Sequence, residues 1–217
     1  MKKYKGIIFD LDGTLIDTSL GIYNCVRYAE KQLGLKPLDD DTLIKFIGPS
    51  SLYSYTTFHG LDNKMASKAI EYHYEYSKKR GLYEAKVYDG IIELLEQLKS
   101  MDLTLAVATL KKEDIAKKML KHFKIGKFFD VISGMNKSNT LSKADLINVT
   151  SKRMMLNNKK DILMIGDSKF DAIGAQKSNV DFMAVTYGFG FKNNKDIEEY
   201  KNVFVVSNPN AILSYLN

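Results

Sequence analysis

Cysteine and long hydrophobic runs are nearly missing from this chain, and their absence narrows the classes of protein to which it can belong. Cys25 is the only cysteine in 217 residues, so no internal disulfide can form, as is typical of the reducing cytoplasm. No apolar run approaches the ~20 residues that a membrane-spanning helix needs. Residues 1–6 carry three lysines but lead into only three apolar residues, unlike a secretory signal peptide. We therefore expect a soluble, cytoplasmic protein without a membrane partner.

Arginine is also scarce, which disfavours nucleic acid as a partner. Only Arg27, Arg80 and Arg153 interrupt a basic complement that is otherwise lysine, and the net charge is +6. Proteins that read bases and phosphates rely on arginine forks, whereas the lysines here are spread along the whole chain. We interpret them as solvated surface residues whose positive field favours phosphorylated metabolites.

The rest of the composition is that of an ordinary globular protein. Hydrophobic residues make up 45% of the chain and charged residues 27%, which argues against disorder and against a fibrous protein. The length allows one large domain, or a core with a smaller inserted domain.

Residues 7–14, with the sequence IIFDLDGT, are the most informative stretch. A short apolar run that ends in two acids and a glycine predicts a buried strand whose carboxyl end opens into a site. Because side chains alternate along an extended backbone, Asp10 and Asp12 are expected to point to the same side. Ligands bind beyond the carboxyl ends of strands in open parallel sheets, so these two carboxylates lie where chemistry is expected.

The chain after this strand is predicted to be helical as far as residue 83. Asp17, Thr18 and Ser19 offer an N-cap for a helix over 20–33 that ends at Gly34. Further helices are expected at 39–47, 50–59 and 62–80, with no intervening strand. We interpret residues 17–83 as an inserted helical domain, and residues 1–16 with 84–217 as the core domain.

The core domain is predicted to be an α/β fold. Strands are expected at 103–108, 131–132, 162–165, 182–185 and 203–206, and helices at 89–101, 112–123, 141–156, 170–178 and from 209. Repeated strand-helix units predict a Rossmann-like doubly wound parallel sheet, here with an inserted all-helical cap domain.

Three of the predicted strands end in polar residues, at Asp10 and Asp12, at Thr109 and at Asp167, and these would meet at one sheet edge. The series resembles the four motifs of the haloacid dehalogenase-like (HAD) hydrolases, in the phosphoglycolate phosphatase-like branch with a helical cap. The matching residues are Asp10-Leu11-Asp12-Gly13-Thr14, Thr109, Lys143 and Gly166-Asp167-Ser168-Lys169-Phe170-Asp171.

This resemblance implies a Mg²⁺ site. The side chains of Asp10 and Asp167 and the backbone carbonyl of Asp12 would be ligands, with Asp171 beside them or bound through water. The chemistry agrees, because a carboxylate nucleophile can approach an anionic phosphate monoester only with a cation between them. Mg²⁺ also prefers oxygen ligands.

The resemblance further implies that Asp10 attacks phosphorus and that Asp12 is the general acid and base. Thr109, the backbone amide of Leu110 and Lys143 would bind phosphate oxygens. The second motif of the family often continues Thr-Asn-Lys, so Leu110 removes one side-chain contact. Lys137 and Lys152 are alternatives to Lys143, which is preferred because the Ala and the apolar helical run that follow it resemble the family's usual context.

Two loops are weaker candidates for ligand contact. Gly48 and Ser50 lie in a loop of the helical block that faces substrate in this family, so they are candidates for substrate specificity. Residues 187–191, with the sequence YGFGF, lack the full dinucleotide-binding pattern, and we expect a turn at the rim of the sheet.

The predicted function is therefore that of a magnesium-dependent phosphatase. Its substrate would be a small phosphorylated metabolite such as a phosphoglycolate-like compound or a 5′-nucleotide, and the protein would be a monomer or homodimer. Alternatives are a sugar-phosphate mutase or a pyrophosphatase of the same superfamily, or a phosphorylation-dependent signalling module. A dehalogenase is disfavoured because it has no need of the acid at Asp12.

Overall fold

The computed structural model describes residues 4–136, 140–201 and 204–216. The chain divides into two compact units. The core unit consists of Met1–Asp17 and Val87–Asn217, and the helical unit is Thr18–Lys86.

The described elements alternate in the core unit and are helical in the other unit. In chain order the strands are β1 (Gly6–Phe9), β2 (Ile16–Asp17), β3 (Lys86–Val87), β4 (Thr104–Lys112), β5 (Val131–Met135), β6 (Ile162–Gly166), β7 (Asp181–Val185) and β8 (Phe204–Val206). The α-helices are α1 (Ser19–Leu33), α2 (Asp40–Leu43), α3 (Ser51–Thr57), α4 (Asn63–Tyr76), α5 (Ile91–Ser100), α6 (Glu113–His122), α7 (Lys143–Arg153) and α8 (Lys169–Ser178).

Six strands form one parallel sheet in the order β5-β4-β1-β6-β7-β8, while β2 and β3 form a separate pair. Ile8 of β1 pairs with Ala106 of β4 on one side and with Met164 of β6 on the other, so the three strands run level. The chain builds the sheet outward from β1 in one direction and then returns to build the other side. This reversal beside β1 creates the crevice in which doubly wound folds bind ligands.

The centre of the sheet is buried on both faces. Ile7, Ile8 and Phe9 of β1 have no exposed surface, as expected for a strand of a parallel sheet that helices cover on both sides. The predicted Rossmann-like α/β fold is confirmed.

Several predicted boundaries were wrong. The strand expected to end at Thr109 continues to Lys112, with a register irregularity between Ala108 and Lys112. The helix expected at 39–47 is α2 followed by a 3₁₀ turn at Ile44–Phe46, and the one at 62–80 ends as a π-helical turn at Ser77–Gly81. The C-terminal helix is a 3₁₀ helix, Pro209–Tyr215. Strands β2 and β3 were missed because two residues carry no periodic signal.

The helical unit has its own polar and aromatic interior. Glu30 on α1 is buried, and its carboxylate accepts hydrogen bonds from Arg27 and from the Leu38 amide, each at 2.9 Å. His59 lies 3.2 Å from the same carboxylate. These contacts fix the end of α1 against the loop that follows it.

Candidate active site

The first two candidate residues follow β1 directly. Asp10 continues the extended backbone, since its amide donates to the Ile165 carbonyl at 2.9 Å. A tight turn follows, in which the amides of Leu15 and Ile16 both donate to the Leu11 carbonyl. Gly13 has a φ of 82° in this turn, a conformation that favours glycine. The side chains of Asp10 and Asp12 are both buried.

Lys143 brings a positive charge to this strand end from the first turn of α7. Ser142 and Asp145 form a capping box that fixes the start of the helix. The Lys143 ammonium lies 2.8 Å from Asp10 Oδ1 and 2.7 Å from Asp171 Oδ1, and it donates to the Ala108 carbonyl at 3.0 Å. The ammonium is therefore surrounded by two carboxylate oxygens and one carbonyl oxygen. Burial opposes the charged form, but the two carboxylates outweigh it and raise the pKa of Lys143.

A glycine of α8 makes room for the Lys143 side chain. A Cβ atom at Gly174 would lie 2.6 Å from Lys143 Cγ, so a larger residue would displace the stem of the lysine. Sequence reasoning missed this residue because a glycine inside a helix carries no signal about the neighbouring helix that it accommodates.

Asp167 follows β6 and is held on one side only. Its Oδ2 accepts hydrogen bonds from the amides of Phe189 at 2.7 Å and Gly190 at 3.1 Å. Its Oδ1 is buried and has no hydrogen-bond partner among the residues that the structure describes. A buried carboxylate oxygen without a donor is costly, so this atom is suited to bind a cation.

Asp171 caps its own helix, α8, and also contacts Lys143. Its Oδ2 accepts from the Ser168 amide at 3.1 Å and from the Ser168 hydroxyl at 2.6 Å, which forms the capping box of α8. Its Oδ1 contacts Lys143. Asp171 therefore caps α8 and also belongs to the acidic cluster.

One carboxylate oxygen each from Asp10, Asp167 and Asp171 lies within 4.8 Å of the other two. Burial and the neighbouring Asp171 raise the pKa of Asp10, although Lys143 acts in the opposite direction. Burial and Asp171 also raise the pKa of Asp167, to about 7. Among the residues that the structure describes, these three buried carboxylates are thus grouped around the Lys143 ammonium. The negative charge of these carboxylates exceeds the positive charge of the ammonium, and Oδ1 of Asp167 has no hydrogen-bond partner among the described residues. Such a group of carboxylate oxygens fits a hard divalent cation such as Mg²⁺.

Asp12 is paired with a residue that sequence reasoning did not select. Its Oδ1 lies 3.1 Å from Lys111 Nζ, and both side chains are largely buried, with 8% and 15% of their surface exposed. Lys111 reaches this position because β4 continues past Thr109. The two residues are about 100 positions apart in the chain, so no local pattern could have indicated the pair.

Thr109 and Leu110 lie in the irregular part of β4. Thr109 is buried, and its Oγ1 accepts a hydrogen bond from the Lys111 amide at 3.1 Å, which leaves the hydroxyl hydrogen to be donated elsewhere. The Leu110 side chain packs against the apolar core, so only its backbone is left for polar contacts. Irregularities of this kind often re-aim side chains at the edge of a site.

The remaining candidates differ in position. Lys152 is exposed, more than two turns farther along α7 than Lys143, and Lys137 lies outside the described residues. Gly48 and Ser50 lie in the helical unit, where Gly48 has a φ of 99° and Ser50 caps α3 by accepting from the Tyr53 amide at 3.3 Å. Within the described ranges, no helix is long and apolar enough to span a membrane.

Comparison with known proteins identifies the family. The model of the haloacid dehalogenase-like hydrolases matches residues 7–185. A 5′-nucleotidase of Pseudomonas aeruginosa is 38% identical over 193 residues, which cover 87% of this chain and 85% of that protein. The tyrosine-protein kinase PtkA of Mycobacterium tuberculosis is 32% identical over 85% of this chain and 62% of that protein.

A solved structure agrees in fold and sequence. The crystal structure of a predicted phosphatase from Clostridium acetobutylicum matches with a TM-score of 0.91 and 36% identity, and the match covers 99% of this chain and 98% of the other. The resemblance seen in the four motifs is therefore confirmed. This chain belongs to the haloacid dehalogenase-like hydrolase family.

Proposed function

We propose that this hydrolase is a Mg²⁺-dependent phosphatase that cleaves small phosphomonoesters through an aspartyl phosphate on Asp10. The observation that carries the proposal is the buried cluster of Asp10, Asp167 and Asp171 around Lys143 at the strand ends. A purely structural ion-pair network gains nothing from an excess of carboxylates. A site for a divalent cation and a phosphoryl group needs that excess.

The proposed Mg²⁺ ligands are side-chain oxygens of Asp10 and Asp167 and the backbone carbonyl of Asp12, with Asp171 beside them. The unpartnered Oδ1 of Asp167 supports this set. When bound, Mg²⁺ would offset the repulsion between the nucleophile and the phosphate and draw charge from the phosphoryl oxygens.

Asp10 is the proposed nucleophile and Asp12 the proposed acid and base. A carboxylate oxygen of Asp10 bonds to phosphorus as the ester P–O bond breaks, and that electron pair leaves on the alkoxide oxygen, which Asp12 protonates. Asp12 then takes a proton from a water whose oxygen bonds to phosphorus as the bond to Asp10 breaks. The products are an alcohol and inorganic phosphate. The Lys111 contact supports this role because it holds the Asp12 side chain in place.

Three further groups would bind the phosphoryl oxygens. Thr109 would donate its hydroxyl hydrogen, the backbone amide of Leu110 would donate a second hydrogen bond, and Lys143 would balance the negative charge. In phosphoryl transfer most of the acceleration comes from such positioning and electrostatic stabilisation.

The proposed substrates are 5′-nucleotides or phosphoglycolate-like monoesters. The first class is supported by the relative named 5′-nucleotidase at 38% identity, and the second by the resemblance of the motifs. We further propose that the helical unit is a cap that excludes water and determines substrate specificity by contacting the leaving group. Gly48 and Ser50 remain our candidates for that contact, and a cytoplasmic monomer or homodimer remains our expectation.

Phosphate release over a metabolite panel tests the proposal. We expect turnover with Mg²⁺, no turnover with a chelator, and none for Asp10→Asn, while an exposed control change, Lys177→Ala, retains wild-type activity. Chelator-resistant turnover, or substantial activity in Asp10→Asn, would contradict the assignment.

The same panel separates the alternatives. Pyrophosphate and sugar phosphates are included, since a pyrophosphatase would prefer the former and a mutase would isomerise the latter without net phosphate release. ATP with a tyrosine peptide is included because one relative is named a tyrosine-protein kinase, and transfer of phosphate to the peptide would indicate kinase activity. A long-lived phosphoaspartate would indicate a signalling module instead of an enzyme.

A further inference from the structure

Residues 187–192, which follow β7 in the core unit, make close contact with Asp167. Sequence reasoning left this glycine-containing segment without a function. In the structure the consecutive amides of Phe189 and Gly190 donate to Asp167 Oδ2 at 2.7 and 3.1 Å. The next amide, of Phe191, donates to the Asp167 carbonyl at 2.7 Å.

These contacts bind Oδ2 of the Asp167 carboxylate and do not involve Oδ1. Two donors on Oδ2 fix the rotation of the Asp167 side chain, because turning the carboxylate would break both hydrogen bonds. Oδ1 is left buried and unpartnered among the described residues, and one carboxylate oxygen of Asp167 lies within 4.8 Å of oxygens of Asp10 and Asp171.

The two glycines of the segment are required by space. Neither Gly188 nor Gly190 has a positive φ, so their backbone conformation does not demand glycine. A Cβ atom at Gly188 would instead overlap Asp167 Oδ2 and the Gly13 carbonyl oxygen, and one at Gly190 would lie 2.5 Å from the Asp167 carbonyl oxygen. Glycine therefore allows the backbone to approach Asp167 closely enough to donate.

The segment is itself anchored. The Tyr187 hydroxyl donates to the Thr14 carbonyl at 2.9 Å, which ties the segment to the turn after β1. The Lys192 ammonium donates to the Gly188 carbonyl at 2.5 Å, and the Lys192 amide donates to Asp196 at 2.7 Å. The donors are thus held on a fixed backbone.

We infer that residues 187–192 are a positioning element that orients Asp167 as a ligand for a divalent cation, with Gly188 as the residue on which the close approach depends. The inference rests on the proposed function, since that function supplies the cation. Groups that orient a ligand from outside the coordination sphere change metal affinity by about 10- to 100-fold when altered.

The test is Mg²⁺ binding by Gly188→Ala, with Gly126→Ala as the control. A Cβ at Gly126 meets no atom closer than 3.4 Å, so that change adds the same methyl group without the overlap. The readout is the rise in melting temperature with Mg²⁺ concentration in the absence of substrate, which reports affinity through linkage. We expect about 10- to 100-fold weaker binding for Gly188→Ala and wild-type binding for Gly126→Ala.

A second readout separates positioning from general damage. If the substitution acts on Asp167, turnover by Gly188→Ala should recover as Mg²⁺ is raised, with the substrate KM unchanged at saturating metal. A loss of kcat that persists at saturating Mg²⁺, or equal loss in the control, would overturn the inference.

Lys192→Met decides the question if Gly188→Ala does not fold. It removes the ammonium from the Gly188 carbonyl without adding bulk, and we expect a smaller loss of Mg²⁺ affinity with the metal-free melting temperature retained. If Gly188→Ala does not fold, unchanged affinity in Lys192→Met would refute the inference, and if it folds, unchanged affinity in both variants would do so. Either result leaves the phosphatase proposal intact. Absence of Mg²⁺ binding by the wild-type protein would instead refute the proposed function.

Discussion

The Lys143 ammonium offsets the negative charge of the buried carboxylates in the site. It forms ion pairs with Asp10 and Asp171 and donates a hydrogen bond to the Ala108 carbonyl. Without metal, this ammonium is the cation that offsets the buried carboxylates, and a bound Mg²⁺ would share that task. Removing one partner of a buried ion pair leaves an uncompensated charge, which costs more than the pair itself contributes.

Lys143→Met should therefore lower the free energy of unfolding of the metal-free protein by about 3–5 kcal/mol. Mg²⁺ should restore part of the loss. Urea unfolding with chelator and with Mg²⁺ measures both effects. The control is Lys152→Met on the same helix, an exposed change expected to stay within about 0.5 kcal/mol of wild type. Equal stability of the two variants would be evidence against the charge-balancing role.

The pKa of Asp167, raised to about 7 by burial and by Asp171, gives a pH prediction for the metal-free protein. A carboxyl group binds its proton more tightly in the folded state when its folded pKa exceeds the unfolded value of about 3.9. Its contribution to stability is then present at low pH and is lost as the pH rises from about 4 through about 7.

We expect the melting temperature in chelator to fall more steeply over that range in the wild type than in Asp167→Asn, which cannot titrate. Parallel pH profiles for the two proteins would show that the Asp167 proton does not contribute. Mg²⁺ should flatten the wild-type profile, because a cation favours the ionised carboxylate.

At the scale of single residues, what could be predicted depended on local pattern. Asp10, Asp12 and Asp167 could be selected as candidates because an acid directly after an apolar strand is visible in sequence. Lys143 was selected because the alanine and apolar run that follow it resemble the family's usual context. Lys111, Gly174 and Gly188 were not selected, because each contacts or approaches a partner from a distant part of the chain.

At the scale of elements, the packing of α7 against α8 sets where the Lys143 ammonium lies. The capping boxes of the two helices fix their first turns, and Gly174 allows the lysine stem to pass between them. Helix propensity alone would favour alanine over glycine at position 174 by about 1 kcal/mol, so the glycine marks a packing requirement.

Gly174→Ala should therefore lower kcat in spite of its better helix propensity, because the added methyl group displaces the Lys143 stem. The measurement is steady-state kinetics at saturating Mg²⁺ together with the melting temperature. Lys177→Ala, an exposed position of the same helix, is the matched control and should retain wild-type kcat. An unchanged kcat in Gly174→Ala would mean that the lysine can repack freely.

Element boundaries were predicted less well than element types. The apolar runs of β1, β6 and β7 were clear, since a strand buried on both faces is continuously hydrophobic. The extension of β4 from Leu110 to Lys112 could not be recognised in the sequence, because its residues are not a continuous apolar run and pair irregularly with β5. That extension is what brings Lys111 to Asp12.

At the scale of the whole molecule, strand order explains why distant motifs meet. The chain places β1 between β4 and β6, so the residues after these three strands share one edge although they are separated by up to about 160 positions. The alternation of strands and helices predicts a parallel sheet, but sequence pattern does not encode which strands are neighbours. The expectation that these motifs meet therefore depended on the resemblance.

The most direct measurement of the central claim is rapid quenching during turnover of a phosphorylated substrate with Mg²⁺, followed by peptide mapping of the protein. We predict a transient phosphoryl group on Asp10 that forms and decays at the rate of turnover and is absent from Asp10→Asn. Turnover without any phosphorylated Asp10 peptide, or a phosphoryl group on another residue in both proteins, would contradict the account.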